Sequence, residues 1–374
     1  MTEPVDELID DLIGDLPAID HADRARRICD AADGTTLYTD LTDVRWLTGF
    51  NGSNGWAIAR CDELIVGTDG RYGDKARAET AGTGATVIVE QQAAKLHQRL
   101  VETLGDQPIG LDASSVPHAT WQRLAADVDL VDRPSPVKLA RRTKDPAEVA
   151  RIDAAARIAD AALADVEANL CGMTELDVRA ELEHSMIRLG ADDRSYDTIV
   201  ASGPDHGARP HHGASRRTII EGDTVIIDVG ALVDGYHSDM TRSWVMGEAT
   251  AEQREIYALV VAAQQAGLDA THPGARASDI DAACREVFDD AGYLDWYIHG
   301  TGHGVGLDIH ETPFHSPVST DSILADYVVT VEPGLYRGGF GGFRIEDLLL
   351  VTTPNTPTDP GYRVLTHSPK RELN

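Results

Sequence analysis

The sequence predicts an α+β protein built from two domains, and three observations support this. The chain has 374 residues, which is enough for two hydrophobic cores. In its first part short apolar runs alternate with helical stretches, and this alternation is typical of an α/β domain. In its second part amphipathic helices alternate with apolar strands, which indicates a mostly antiparallel sheet with helices on one face. A polar segment with two prolines separates the parts, so we place the domains at 1–133 and 145–374 and a linker at 134–144.

A change of hydrophobic period marks the elements of the smaller, N-terminal domain. Leu8, Leu12 and Leu16 recur at helical spacing, and residues 22–32 continue that pattern. From Thr36 onward, apolar runs bounded by Gly, Asn and Asp predict short strands at Leu37, Trp46–Phe50, Trp56–Ala59, Leu64–Gly67, Val87–Val89, Ile109–Leu111 and Leu130–Val131. Helices are predicted between them at Arg71–Thr80, Ala93–Leu104 and His118–Ala126.

Capping signals locate the helices of the larger domain. Asp145 is a good N-cap, Pro146 suits the first helical position, and Glu148 completes a capping box. Similar signals predict further helices that start at Thr174, at Thr250 with Gln253, and at Ser278 with Asp281. Apolar runs predict strands at Thr198–Ser202, Thr224–Ala231, His237–Met246, Val328–Glu332 and Phe343–Val351.

The composition excludes several classes of function. The formal charge is −29, and the acidic residues are dispersed along the chain, so binding to nucleic acid or to an anionic membrane is disfavoured. No apolar run is long enough to span a membrane and no signal peptide is present, so we expect a cytoplasmic protein. The four cysteines lack metal-type spacing and suit reduced thiols. An acidic surface of this kind is typical of a high-salt cytoplasm, where salt screens the repulsion; an acidic mesophilic protein is the alternative.

Two aspartates fall in a stretch that reads as a β-hairpin. Asp234 and Gly235 form a dipeptide that favours the tight two-residue turns of hairpins. With that turn, Asp239 lies opposite Gly230, and Asp228 lies two residues along on the same face. Buried carboxylates are unfavourable unless they are paired or bind a metal. The hairpin therefore predicts that two carboxylates converge on a cation, with Gly230 leaving room for it.

Three further candidate ligands lie where the sequence constrains their side chains. His303 is flanked by glycines, which let a backbone approach a ligand closely. Glu332 ends an apolar strand, and Glu346 shares a strand face with Arg344. One imidazole with four carboxylates is an oxygen-rich set. It favours Mn, Co, Fe or Zn in a carboxylate-bridged pair over a structural zinc site.

These residues belong to motifs that resemble the pita-bread metallopeptidases, peptidase family M24. The motifs are IDVGALVDGYHSDMTR, GTGHGVGLDIHE, TVEPGLY and FRIEDL. In the first domain, WLTGFNGS and TDGRY resemble the creatinase-type N-terminal domain of the Xaa-Pro aminopeptidase and Xaa-Pro dipeptidase (prolidase) branch. The resemblance implies a C-terminal pita-bread domain behind a smaller creatinase-like α/β domain.

The resemblance also implies a site with two divalent metal ions per subunit, most commonly manganese. Asp228 would bind the first ion, His303 and Glu332 the second, and Asp239 and Glu346 would bridge both. A metal-bridging hydroxide would be the nucleophile, with Glu332 as the general base.

Two histidines and one arginine are expected beside these ligands. The family has a Pro-His-Gly segment whose histidine contacts the substrate; here the segment reads Pro-His-His-Gly. The family's spacing from Asp228 selects His211, and His212 then stands where glycine is usual. His310 resembles the second substrate-facing histidine, and Arg344 would orient Glu346 and line the pocket. Structural roles alone are assigned to His237, His299 and His315.

The resemblance implies an exopeptidase that hydrolyses the N-terminal Xaa-Pro bond of peptides with proline in second position. We favour an Xaa-Pro aminopeptidase over an Xaa-Pro dipeptidase, and we expect a homodimer, by analogy with relatives that carry the small domain. Two alternatives stay open: a hydrolase of another small amide, such as an acylated compatible solute, and a non-catalytic binding protein of the same fold.

Overall fold

The structure, a computed structural model, describes residues 9, 12–14, 16–61, 63–356 and 358–373. It contains two compact units. The small unit comprises residues 18–141, and the large unit comprises residues 142 onward together with the described residues up to Pro17. The change of unit falls inside the segment 134–144, and the predicted domain and linker boundaries stay a prediction. Of the leucines with helical spacing at the N-terminus, Leu8 lies outside the described residues.

The small unit is built on a six-stranded mixed sheet. In chain order its elements are α1 (His21–Asp30), β1 (Thr35–Tyr38), α2 (Leu41–Thr48), β2 (Gly55–Arg60), β3 (Glu63–Asp69), α3 (Gly73–Glu79), β4 (Thr86–Glu90), α4 (Ala93–Leu104), β5 (Ile109–Leu111), α5 (His118–Ala125), β6 (Leu130–Asp132) and α6 (Pro136–Ala140). The strand order is β4-β3-β2-β1-β5-β6, with parallel pairing at β3–β4, β1–β5 and β5–β6. This confirms the predicted α/β character.

One predicted strand of the small unit, Trp46–Phe50, is wrong. Its first residues belong to the helix α2, which begins after Asp40, whose side chain accepts a hydrogen bond from the amide of Thr42. The helix ends at Gly49, which has φ +81° and so provides a left-handed C-cap. A short apolar run has no period of its own, and here local capping and burial of one helix face decided the conformation.

Of five helices of the large unit, the four longest pack in two pairs against its sheets. The five are α7 (Pro146–Val166), α8 (Glu175–Arg188), α9 (Gly203–His206), α10 (Ala251–Ala270) and α11 (Ala277–Asp290). Apolar side chains of α7 and α8 form one core with the strands around Ile227, and those of α10 and α11 form another with the strands around Val329. Burial of these helix faces is the main favourable contribution to folding.

Capping boxes open three of these helices, as predicted. Asp145 with Glu148, Thr174 with Asp177, and Thr250 with Gln253 make the reciprocal side-chain to backbone bonds. The predicted cap at Ser278 is wrong, because α11 already begins at Ala277. There the amide of Ala277 donates to the carbonyl of Asp321, and Asp281 instead accepts hydrogen bonds from Thr301 and Arg285.

The strands of the large unit form several small sheets. They are β7 (Asp193–Arg194), β8 (Ile199–Ser202), β9 (Thr224–Val229), β10 (Ala231–Val233), β11 (Tyr236–His237), β12 (Met240–Val245), β13 (Gly302–Gly304), β14 (Glu311–His315), β15 (Val328–Val331), β16 (Gly334–Arg337), β17 (Gly341–Arg344), β18 (Asp347–Val351) and β19 (Tyr362–Val364). The orders are β11-β10-β7, β12-β9-β8, β14-β13-β15-β18-β19 and β16-β17. Every pairing found among the described residues of this unit is antiparallel.

The predicted hairpin has the predicted register. Asp234 and Gly235 take φ values of +45° and +75°, as a tight two-residue turn requires. Val233 pairs with Tyr236, and the same register pairs Asp228 with Thr241. The expected room at Gly230 is not there, because the carbonyl oxygen of Ser238 occupies it: a Cβ at this glycine would lie 2.0 Å from that oxygen. The glycine therefore permits a close backbone approach rather than a cation.

The predicted strand Phe343–Val351 is divided between two sheets. Its first part is β17, paired with β16, and its second part is β18, paired with β15. Glu346 lies at the break, where its amide donates to the carbonyl of Thr241 on the hairpin. None of the described helices is long and apolar enough to cross a membrane.

Candidate metal centre

The hairpin presents Asp228 and Asp239 to a common point. Asp228 is the penultimate residue of β9, and Asp239 lies just before β12. The hydroxyl of Tyr196 joins them: it donates to Asp228, and it lies 2.5 Å from an oxygen of Asp239. Both carboxylates are buried, as the hairpin predicted. A phenol donates a hydrogen bond but carries no positive charge, so Tyr196 does not neutralise the two acids.

His303 directs one ring nitrogen at the acids. Its Nδ1 lies 3.0 Å from the carbonyl oxygen of Gly304, so Nδ1 carries the proton and Nε2 is left as an acceptor. Nε2 lies 3.4 Å from Asp239 and 3.7 Å from Glu332. Burial lowers the pKa of His303 to about 4, so the ring is neutral near pH 7. A neutral imidazole with a free, oriented nitrogen is suited to binding a metal ion.

Glu332 and Glu346 complete the set from two different chain segments. Glu332 follows β15, and its amide donates to the carbonyl of Thr301 at 2.8 Å. Glu346 is held by Thr241, whose hydroxyl donates to its carboxylate at 2.8 Å. Oxygen and nitrogen atoms of Asp239, His303 and Glu346 all lie within 4.8 Å of one another. Ligands that come from the hairpin, from β13 and from the β17–β18 break thus converge on one volume.

Burial, together with the charge of neighbouring acids, raises the pKa values of three acids of this centre, Asp239, Glu346 and Glu332. Burial, followed by the charge of Asp228, raises the pKa of Asp239 well above its usual value. The pKa of Glu346 is raised similarly by burial and by Asp239 and Glu332. Burial raises the pKa of Glu332 to about 8, against the attraction of Arg344. Because charged carboxylates this close are unfavourable without a cation, the donor set fits divalent metal ions.

Arg344 is the single guanidinium found at the centre among the described residues. Its Nη2 lies 2.6 Å from Asp228, and its Nε donates to the hydroxyl of Thr241, which in turn donates to Glu346. Its Nη1 donates to the carbonyl of Pro210 at 3.1 Å and to the hydroxyl of Tyr336 at 2.9 Å. Arg344 therefore reaches Glu346 through Thr241 rather than directly. One guanidinium faces four carboxylates, so a net negative charge remains when all four are ionised, as they are when they bind metal ions.

A cavity of about 220 Å³ opens beside these groups. Its lining comprises Tyr196, Asp197, Ile199, His211, Asp228, Asp239, His303, Ile309, His310, Glu332 and Glu346. His310 meets His303 edge to face, with ring centroids 4.5 Å apart. Burial, together with the charge of Arg344, lowers the pKa of His211. Two imidazoles and two isoleucines thus line the cavity together with the acids.

His211 and His212 point to different surroundings. His211 lines the cavity, whereas His212 stacks on His206, with ring centroids 3.9 Å apart. The placement agrees with the choice of His211 that the spacing favoured, although the role of either histidine stays a prediction.

Comparison with known proteins decides the family. A family model described as metallopeptidase family M24 matches residues 150–353. This chain belongs to metallopeptidase family M24. A second family model, the creatinase/prolidase N-terminal domain, matches residues 23–142. The family assignment and the predicted fold class are thereby confirmed, and the protein is a metallopeptidase.

Similar proteins match nearly the whole chain. An uncharacterized peptidase of Bacillus subtilis is 36% identical over 340 residues, which are 89% of this chain and 94% of that protein. The structure of an Xaa-Pro dipeptidase from Bacillus anthracis superposes with a TM-score of 0.86 at 32% identity, covering 94% of this chain and 98% of the other. An X-Pro aminopeptidase from Thermotoga maritima gives a TM-score of 0.84 at 29% identity, with 95% and 99% covered.

Several residues that hold the candidate ligands of this M24 chain carry little or no signal in the sequence. Thr241 had a signal, because it lies two residues after Asp239 and so on the same strand face. Tyr196 had none, since it lies in a short connection without a motif. His299 was assigned a structural role, yet its Nε2 lies 2.9 Å from the hydroxyl of Tyr336, which accepts from Arg344. The other two histidines assigned structural roles lie outside the cavity lining: His237 bonds to Ser195, and His315 is fully buried.

Proposed function

We propose that this protein hydrolyses the bond between the first residue of a peptide and a proline in second position, with two divalent metal ions. The observation that carries the proposal is the convergence of four carboxylates and His303 on one cavity. The substrate class follows from relatives whose names are Xaa-Pro dipeptidase and X-Pro aminopeptidase. A proline in second position has no amide N–H and a fixed φ, so its bond needs a specialised site.

The metal ligands would be divided as the resemblance implies. Asp228 would hold one ion, His303 and Glu332 the other, and Asp239 and Glu346 both. Oxygen-rich sets of this kind suit manganese, and cobalt, iron or zinc could take the same places. When bound, two such ions would lower the pKa of a water molecule and polarise the carbonyl of the scissile bond.

The protein's own groups would manage protons and orientation. Glu332 faces the cavity, so we propose that it takes the proton of the attacking water and passes it to the departing proline nitrogen. His211 and His310 line the same cavity, and we propose that their N–H groups donate to the carbonyl oxygen as negative charge develops there. Arg344 would hold Asp228 in place through the 2.6 Å bond.

Cleavage of a dipeptide Xaa-Pro beside a tripeptide Xaa-Pro-Xaa tests this function. We expect manganese-loaded protein to cleave at least one of them and metal-stripped protein to cleave neither, because the acids must be neutralised for turnover. We favour cleavage of the tripeptide, which would make the protein an Xaa-Pro aminopeptidase; cleavage of the dipeptide alone would make it an Xaa-Pro dipeptidase. If two ions bind and neither peptide is cut, a hydrolase of another small amide replaces the proposal.

The charge of −29 predicts a protein that requires salt. We expect the melting temperature to rise between 0.1 and 3 M KCl, since screening weakens the repulsion among surface acids. The check is a melting series in KCl, with sucrose at matched osmolality as the control. A melting temperature that does not change with KCl would contradict the prediction of a high-salt cytoplasm. A cytoplasmic location and a homodimer, which light scattering would detect, stay predictions.

A further inference from the structure

The segment that carries His211 is fastened at both ends to one buried carboxylate. The segment, residues 203–214, is called the His211 loop here; it begins after Ser202 and ends before Ser215. Glu175, the first residue of α8, is fully buried. One of its oxygens accepts from the amide of Ser202 at 2.8 Å and from the hydroxyl at 2.7 Å. The other accepts from the amide of Ser215 at 3.1 Å and from the hydroxyl at 2.7 Å.

A third attachment lies within the loop itself. The Nδ1 of His206 lies 3.0 Å from both oxygens of Glu175. His206 in turn stacks on His212, the immediate neighbour of His211. On the far side of His211, the carbonyl of Pro210 accepts from Arg344. His211 therefore lies between two fixed points, one tied to Glu175 and one tied to the metal centre.

The carboxylate of Glu175 is charged under ordinary conditions. Burial alone would raise its pKa, but hydrogen bonds from Ser215, Ser202 and His206 outweigh burial and lower the pKa below its usual value. Hydrogen bonds to a charged acceptor are stronger than those between neutral groups. Glu175 also lies in the first turn of a helix, where negative charge is favoured.

We propose that Glu175 is a positioning residue for His211: through Ser202, Ser215 and His206 it holds the loop so that the His211 imidazole faces the cavity. This inference rests on the proposed function for its effect on turnover, and on the contacts above for its structural part. It also gives a role to His212, which stands where the family usually has glycine. The ring of His212 supplies the contact to the ring of His206.

The same cluster does not have the geometry of a metal site. Glu175, His206 and His212 offer ligand atoms within 4.8 Å of one another. However, both oxygens of Glu175 already accept several hydrogen bonds, and a carboxylate has about four lone-pair sites. The Nδ1 of His206 is also already engaged, because it lies 3.0 Å from both oxygens of Glu175. Glu175, His206 and His212 therefore hold the His211 loop in place, and this arrangement is called the clamp below.

The test is a double-mutant cycle between Glu175 and His211, using the manganese-loaded full chain. Glu175→Gln keeps the shape but replaces one acceptor oxygen by a donor NH₂. We expect it to lower kcat/KM about 10- to 100-fold, the scale of a small misplacement of a reacting group. In a His211→Ala background the same change should cost less than about twofold, because the group it positions is gone. If the loss of kcat/KM in the double variant equals the product of the losses in the two single variants, the proposal is wrong.

Hydrogen exchange tests the clamp independently of turnover. We expect Glu175→Gln to speed amide exchange within 203–214 and to leave the bound manganese per chain unchanged. Glu181→Gln, an exposed acid of the same helix, is the matched control and should change neither. If the protein cuts no Xaa-Pro peptide but the loop still loses protection, the proposed function fails and the clamp stands. If Glu175→Gln loses a metal ion instead, the cluster is a metal site and the clamp is wrong.

Ser215→Ala serves if Glu175→Gln does not fold. It removes one hydroxyl donor and leaves the hydrogen bond from the backbone amide of residue 215 to Glu175 in place. We expect a smaller loss of kcat/KM, about two- to fivefold, again absent in the His211→Ala background. Unchanged kcat/KM together with unchanged exchange in the loop would contradict the clamp.

Discussion

Asp239→Asn is expected to abolish peptide cleavage and to reduce the bound metal. Asp239 lies between Tyr196 on one side and His303 on the other. In the proposed division of ligands its carboxylate would serve both ions. An amide keeps the shape but offers one oxygen and no charge. Loss of a residue that merely orients a metal ligand costs about 10- to 100-fold. Loss of a shared ligand should cost more, so we expect kcat/KM to fall at least about a thousandfold.

Two measurements separate this effect from unfolding. Metal content after dialysis should fall in Asp239→Asn, while the circular dichroism spectrum stays that of the parent protein. Asp290→Asn, an exposed acid at the end of α11, is the control and should keep full activity and metal. An active Asp239→Asn variant with two ions bound would show that this carboxylate is not a ligand, and the division of ligands proposed above would have to be redrawn.

The parts of the site that the sequence predicts well are those fixed by local chemistry. The turn at Asp234 and Gly235 sets the register of the whole hairpin, so the positions of Asp228 and Asp239 follow from two adjacent residues. Helix starts with a capping box are equally local, because an N-cap and the third helical residue satisfy each other. Such features need no knowledge of what packs against them.

The parts that it does not predict depend on contacts distant in sequence. Glu346 lies where a run that looks like one strand leaves one sheet and joins another, and its neighbour Thr241 is far away in the chain. Tyr196 joins the two aspartates from a connection without any motif. Gly230 admits a carbonyl oxygen from the facing strand, which no local pattern reveals. Each of these is fixed by tertiary packing, which overrides local propensity.

Removing the metal ions is expected to make the stability of the protein fall as the pH rises. In the metal-free protein burial raises the pKa of Glu332 to about 8 and raises those of Asp239 and Glu346 above their usual values. In the unfolded chain such carboxyl groups have pKa values near 4. Below about pH 6.5 the buried histidines His299, His303 and His315, whose pKa values are lowered, oppose this effect because they are charged only in the unfolded chain. From about pH 7 to pH 8.5 these histidines are neutral in both states, and the folded state therefore binds more protons than the unfolded state. The free energy of unfolding must then decrease with pH over that window.

The size of the effect is large because each pKa unit corresponds to about 1.4 kcal/mol. We expect the melting temperature of metal-free protein to fall by about 5 °C between pH 7 and pH 8.5. Manganese-loaded protein should behave in the opposite sense, since the ligands must lose their protons to bind and binding stabilises the folded state. Melting curves at constant KCl, with and without manganese, measure both slopes.

Surface acids also titrate, so the slope has to be assigned to the centre by substitution. Glu346→Gln removes one of the three acids whose pKa values are raised and should flatten the pH dependence of the metal-free protein. Glu248→Gln removes an exposed acid instead and should leave the slope as it is. Parallel slopes in all three proteins would place the pH dependence in the overall charge of the chain. A flattened slope in Glu346→Gln alone would show that the buried carboxylates need a cation, which is the physical basis of the metal centre.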